Sequence, residues 1–301
     1  TYYIDARRNY QPSAALCRFG STRRSLASTD IRGEVNAVLL AREGLSREVA
    51  HESRIPHDLE TEQEARLKIF TQRYCNPENM AGQLDGVPGE DPICAEAPAP
   101  TPTARTYDRD VNFTRTLGND LTLDVNLTDD VLTEDEQDIK ALMNNLYAYN
   151  LSPVISDEDV SKLAFLEMRS IWAGRSLARN SYVTLVGNRA AGTGGADSFI
   201  KDVMRDMGFT DAALDDILGD NPSYDAQMKF LTKTLTQHPN FIISLIDTPE
   251  NVKRQNTTLL ATKLMLDRDI LEALHRRELL ISAILSELLR DEGNKINLNL
   301  D

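Results

Sequence analysis

The residues whose types could carry chemistry are few. Four histidines, three cysteines and one glycine-rich run stand out from a chain of 301 residues. The run Gly187-Asn-Arg-Ala-Ala-Gly192-Thr-Gly194-Gly195 superficially resembles a phosphate loop. A true one needs Lys followed by Ser or Thr, after a strand. Here there is no Lys and a helix precedes, so a helix-to-helix connection is expected, whose glycines would also let another chain approach closely. His51 and His57 share a loop with Glu52 and Asp58, without HExxH or another ligand spacing. His238 closes a helix, where an imidazolium suits the dipole. No G-x-S-x-G elbow occurs, and no cysteine has an evident paired base. The acidic runs Thr133–Asp138 and Asp157–Asp159 open helices, where carboxylates are expected anyway, and the first lacks the Gly and Glu of an EF-hand loop. No catalytic, cofactor or metal site is expected.

Cys17, Cys75 and Cys94 all lie in the first third of the chain. With an odd number, at most one internal pair forms. In an oxidising compartment that pair is Cys17–Cys75 or Cys75–Cys94, and spacing chooses neither. The C-x-x-C pattern of a zinc site is absent.

Elements that could position such residues are mainly helical. The 41% apolar content supports a real core, and the net charge of −14 argues against nonspecific binding to nucleic acid or an anionic membrane. The charge is uneven. Thr1–Arg32 holds six Arg against two acids, +4, whereas Tyr107–Val160 holds thirteen acids against three bases, −10. The arginines Arg7, Arg8, Arg23 and Arg24 are therefore candidates for docking on an acidic neighbour, such as another copy's acidic segment, or else part of a solvated arm. No run of 18 apolar residues exists, so no membrane span is expected. The chain opens at Thr1, which fits a mature product whose leader was removed and equally a trimmed chain.

Helices are expected from Ser13 to about Arg47, from about Glu60 to Tyr74, from the capping box Thr133-x-x-Glu136, and from Ser156/Asp159 to near Gly192. Shorter ones follow at Ala196–Met207 and Asp211–Leu218, then one started by Asn221-Pro222. The longest runs from Thr248 to Glu292, with Thr248 as cap, Pro249 at the first helical position and Gly293 just past its end. A break near Asn256–Thr258 is allowed. Its stripe Leu260, Leu264, Leu271, Leu274, Ile281, Leu285 and Leu288 shares one face, interrupted by Asp267 and Glu278. That face suits the centre of a helical domain, or a helix that also meets another subunit. The one β signal is LTLDVNL, where Leu121, Leu123, Val125 and Leu127 alternate with polar residues. Val111, Phe113 and Arg115 would supply a partner strand across Gly118-Asn119-Asp120. Such a hairpin must lie on its own helices or pair with another chain.

The expected fold is mainly α: a multi-helix orthogonal or bundle-like domain with one candidate β-hairpin near 111–128 and a long C-terminal helix. The expected organisation is an N-terminal arm and helical region over 1–94, a Pro/Ala/Thr linker over 95–105, and a main helical domain over 106–301.

Five strings carry a resemblance: CRFGSTRRSLA (Cys17–Ala27), RYCNP (Arg73–Pro77), NFTRTL with LTLDVNLTD (Asn112–Asp129), LGDNPSYDAQM (Leu218–Met228) and MLDRDILEALHRRELL (Met265–Leu280). They resemble a poorly characterised group of bacterial proteins, mainly alphaproteobacterial, associated with conjugation or type IV secretion gene neighbourhoods. The resemblance implies a periplasmic or envelope-associated structural component with other protein subunits as partners, self-association among them, and no catalytic residues to carry over. A cytoplasmic helical adaptor, or an enzyme whose site is assembled only in three dimensions, are the alternatives.

Overall fold

The computed structural model describes residues 14–50, 58–76, 106–118, 120–129, 131–147, 159–193, 221–237 and 248–295, with isolated positions between 200 and 218 and at 241 and 246. Of the described residues, 81% are helical and none forms a strand. The α-helices are α1 (Ala14–Ala50), α2 (Asp58–Ile69), α3 (Glu134–Tyr147), α4 (Asp159–Arg189), α5 (Tyr224–Lys229), α6 (Leu235–Gln237) and α7 (Pro249–Lys295). Wider π-helical turns extend α2 over Phe70–Tyr74, join α5 to α6 over Phe230–Thr234, and stand alone at Thr114–Gly118. The expected linker at 95–105 lies outside the described residues, as do the expected arm and most of the two short helices before Asn221.

The chain divides into two compact units, both discontinuous in sequence. The first comprises Thr1–Val38, Leu121–Leu123 and Asn180–Asp301. Its core gathers Leu26, Ile200, Leu214, Leu218, Phe230 and Leu231, with Met265 of α7 against it. There α1 and α4 cross at Gly33 and Gly187. A Cβ on Gly187 would stand 2.4 Å from the Gly33 carbonyl oxygen, and one on Gly33 2.6 Å from that of Gly187. The first glycine of the run thus lies at a close crossing of the chain with itself. Gly192 continues it, donating its N–H to the Asn221 carbonyl at 2.9 Å.

The start of α5 differs from expectation by two residues. Ser223 is the cap, its hydroxyl accepting from Ala226 N–H at 3.1 Å. Asn221 and Pro222 serve as backbone acceptors instead, for Gly192 N–H and for the buried Gln227 amide. Helix α7 runs unbroken for 47 residues, through Asn256–Thr258 and past Gly293. At about 1.5 Å per residue it is roughly 70 Å long. Glycine ends helices by adopting a left-handed conformation but does not oblige them to end.

The second unit comprises Leu39–Asp120 and Asp124–Arg179. Leu40, Tyr74, Leu117, Val125, Ile139, Leu142 and Trp172 are buried there. The capping box of α3 forms as expected: Glu136 N–H donates to Thr133 Oγ1 at 3.2 Å and Thr133 N–H to Glu136 Oε2 at 3.4 Å.

The hairpin is not what the described residues adopt. Where a partner strand was expected, Asn112 N–H bonds Asp108 O and Thr116 N–H bonds Asn112 O. The Asn112 side chain takes Arg115 N–H and the Arg115 guanidinium donates to Tyr107 O, so local side-chain bonds stabilise a helical turn. The LTLDVNL alternation does bury Leu123 and Val125, at 0% and 1% exposure. Their neighbours' backbone groups meet side chains rather than a strand. Asp124 N–H donates to Asp135 Oδ2 and Asn126 N–H to Glu136 Oε1. Only Leu123 makes a ladder rung, a parallel bridge to Ala190.

Candidate functional site

The most concentrated polar chemistry lies in the second unit, on Asp138 of α3. Its carboxylate is 0% exposed. The π-helical end of α2 delivers two adjacent side chains to one oxygen: Arg73 Nε lies 2.8 Å and the Tyr74 hydroxyl 2.9 Å from Oδ1. Arg109, also buried, holds Nη1 3.0 Å from Oδ2 as an ion pair and Nη2 3.3 Å from Asp135. That pair to Oδ2 lacks hydrogen-bond alignment. One carboxylate therefore joins three segments that are distant in sequence.

The electrostatics fit a lock. Burial pushes the Tyr74 hydroxyl far above its ordinary range and the Asp138 carboxylate adds to the effect, so the phenol remains a donor. Burial works against the Arg73 guanidinium, but its hydrogen bond and charge pairing with Asp138 outweigh this, and its pKa is raised. Beside this cluster Asn145 donates to the Asp110 carboxylate and accepts from Arg66 at 2.8 Å. Burial raises the Asp110 pKa despite those bonds. What the arrangement does is fix segments to one another: Asp138 and Asp135 face the Arg73 and Arg109 guanidiniums inside the fold.

Two concavities adjoin it. A groove of about 470 Å³ runs between the end of α1 and α3, with Leu39, Leu127, Val131 and Leu132 as apolar wall and the Lys140–Glu43 pair at 3.0 Å. A second, of about 380 Å³, is lined by Leu67, Phe70, Tyr74, Asp110 and Asn145.

The residues singled out in the sequence are not brought together here. Cys75 is buried and disulfide-bonded at the end of the Phe70–Tyr74 turn, and its partner sulfur lies outside the described side chains. Cys94, Arg7, Arg8, His51, His57 and His238 lie outside the described residues, and the backbones of Cys17 and Arg23 belong to α1. Arg24 is exposed on α1 and His275 on α7. Leu123 and Val125, candidates for pairing with another chain or for packing on the chain's own helices, are interior, and Leu121 and Leu127 are half-buried. Among the described residues no group of three His, Cys, Asp or Glu side chains is placed to hold a metal, and no helix is long and apolar enough to cross a membrane.

The stripe on α7 is where the structure departs furthest from an interior helix. Leu264 is 69% exposed and Leu288 58%, and every other apolar member of the stripe is exposed too. Ile270, Ile284 and Leu289 widen the same face. No known protein family, curated protein or solved structure matches this chain.

Proposed function

We propose that this protein is a non-enzymatic structural or assembly component of a bacterial cell-envelope machine, of the type IV secretion or conjugation kind, working through contacts with other subunits. The observation that carries the reading is the outward apolar face of α7. Solvated helices of monomeric proteins rarely expose a contiguous patch of this extent, and such patches mark interaction sites. The Cys75 disulfide supports an oxidising compartment such as the periplasm, and the sequence resemblance points to the same setting. The buried ion cluster on Asp138 fits a part whose polar groups brace its shape.

The test is cross-linking in the native cell, followed by affinity purification from detergent-solubilised envelopes and mass spectrometry of the partners. Recovery of secretion or conjugation components at fixed stoichiometry, cross-linked to α7, is the expected result. Recovery of the chain alone from the cytoplasmic fraction, with reduced cysteines, would overturn the reading.

A further inference from the structure

We infer that α7 is a homotypic coiled-coil element, and that the occupant of its exposed face is a second copy of this chain, packed antiparallel about the Glu272–Ala273 peptide bond. The inference rests on the contact-assembly reading above and names the partner.

The first support is periodicity. Positions 260, 264, 267, 271, 274, 278, 281, 285 and 288 alternate in steps of four and three without a slip. This is the 3.5-residue repeat of a coiled-coil seam, sustained over four heptads, whereas a helix lying on a globular core follows a 3.6 repeat. Nine seam positions carry seven Leu or Ile and two acids.

The second support is placement. The positions diametrically opposite the seam are 262, 269, 276 and 283. Thr262 is buried and the other three are half-buried. The Tyr224 hydroxyl donates to Asp269 Oδ2 at 2.9 Å, and Met265 lies on the core of the first unit. The helix thus rests on its own unit with its back and leaves the whole seam open.

The third support is self-complementarity. An isologous two-fold contact requires that residue i meet residue j and j meet i. Around the Glu272–Ala273 bond the seam from Leu260 to Leu285 matches itself in kind: Leu260 with Leu285, Leu264 with Ile281, Leu271 with Leu274. The two acids fall opposite each other, Asp267 with Glu278, and the adjacent arginines Arg268 and Arg277 do likewise. Each acidic layer of the pair therefore holds two carboxylates and two guanidiniums, with no net charge. Arg268 already gives one bond to Glu272 at 2.6 Å and has further donors to share. A parallel, in-register pair would instead stack Asp267 on Asp267 and Glu278 on Glu278.

The area is also sufficient. Full burial of a large aliphatic side chain removes roughly 60–120 Å² of apolar surface, so the ten on this face at about half exposure offer on the order of 500 Å² per helix. A standard interface takes about 800 Å² from each partner, which flanking polar stems would complete.

The experiment is sedimentation equilibrium of the full, disulfide-intact chain, with two variants. The wild-type chain is expected at twice its 33.7 kDa mass. Leu271→Glu with Leu274→Glu is expected to weaken association by roughly 100-fold or more at unchanged helix content, because both positions are exposed in the single chain. Leu264→Cys with Ile281→Cys should oxidise to cross-links joining 264 of one copy to 281 of the other, identified by peptide mapping. A wild-type monomer at all concentrations overturns the inference; so does wild-type association in the glutamate variant, or cross-links of 264 to 264. Failure here with envelope partners still recovered on α7 removes only the second copy as occupant. A confirmed dimer with no envelope partner removes only the assembly reading.

Discussion

Asp138 balances two guanidinium groups and a phenol without any solvent-exposed surface of its own. Removing a buried charge whose partners stay buried costs far more than the pair contributes net, because the partners are left uncompensated. Asp138→Ala is therefore expected to lower unfolding stability by about 3–5 kcal/mol, read from urea denaturation. A loss below about 1 kcal/mol would mean that water reaches Arg109 and Arg73 and that the cluster is not a lock. Titrating carboxylates also lie in the first unit. Asp30, Asp225 and Asp269 all have pKa values raised above the ordinary 3.8, first by burial. The folded chain then holds protons that the unfolded chain releases, over the window from 3.8 upward to the raised values. Stability falls as pH rises through that window. Asp269→Asn keeps an acceptor for the Tyr224 hydroxyl and removes one titrating group, so it should flatten the decline of the urea midpoint as pH rises above the ordinary carboxylate range. An unchanged slope would place the effect on other groups. None of this was legible in the sequence. Asp138 ends an acidic run that reads as ordinary first-turn carboxylates, and nothing local marks Arg73 or Arg109 as its partners. The Thr133/Glu136 box was legible because donor and acceptor lie three residues apart.

Helices were read well as elements, and their junctions less well, for the same reason. Periodicity reports which face of a segment is apolar; α1 through α4 and α7 are helices where it expects them, yet Ile31, Val35 and Val38 of α1 and Leu67 of α2 are exposed. It does not report what meets that face. LTLDVNL alternates as a strand does and buries Leu123 and Val125, yet its backbone bonds go to Asp135, Glu136, Arg189 and Ala191, and the described residues form no hairpin. Gly33 in a helical pattern reads as a weakness of about 1 kcal/mol. The structure gives the reason for it: the Gly33 and Gly187 backbones touch. Gly33→Ala and Gly187→Ala should each lower the thermal midpoint, because a clash with a carbonyl costs about 1–3 kcal/mol and exceeds the helix-propensity gain. Gly174→Ala makes the control. It lies mid-helix in α4 with nothing within 4 Å of its added Cβ, so there the propensity gain of about 1 kcal/mol should appear as a higher midpoint. Should all three move in one direction, the crossing would not be the determinant.

At the scale of the whole molecule, charge composition and charge availability separate. The −10 segment Tyr107–Val160 looks like a docking surface for basic arms. Yet Asp110, Asp135, Glu136 and Asp138 within it are engaged by Asn145, Arg109, Arg73 and backbone N–H groups of their own unit. Among the described residues α7 carries a run of exposed large apolar side chains instead. The turn that feeds Asp138 ends in Cys75, whose N–H bonds Phe70 O at 2.9 Å and whose sulfur is in a disulfide. The covalent link and the ion cluster thus brace the same short stretch, Phe70 to Asn76. Breaking the link returns loop entropy to the unfolded chain, worth about 2–4 kcal/mol, and loosens the attachment of Arg73 and Tyr74. Dithiothreitol should accordingly lower the urea midpoint of the wild-type chain. Cys75→Ser should show the same loss without reductant, and reductant should then add nothing. Combining Cys75→Ser with Asp138→Ala should cost less than the sum of the two single losses, since both act through one stretch. Strict additivity would separate the disulfide from the cluster and leave each bracing the unit independently.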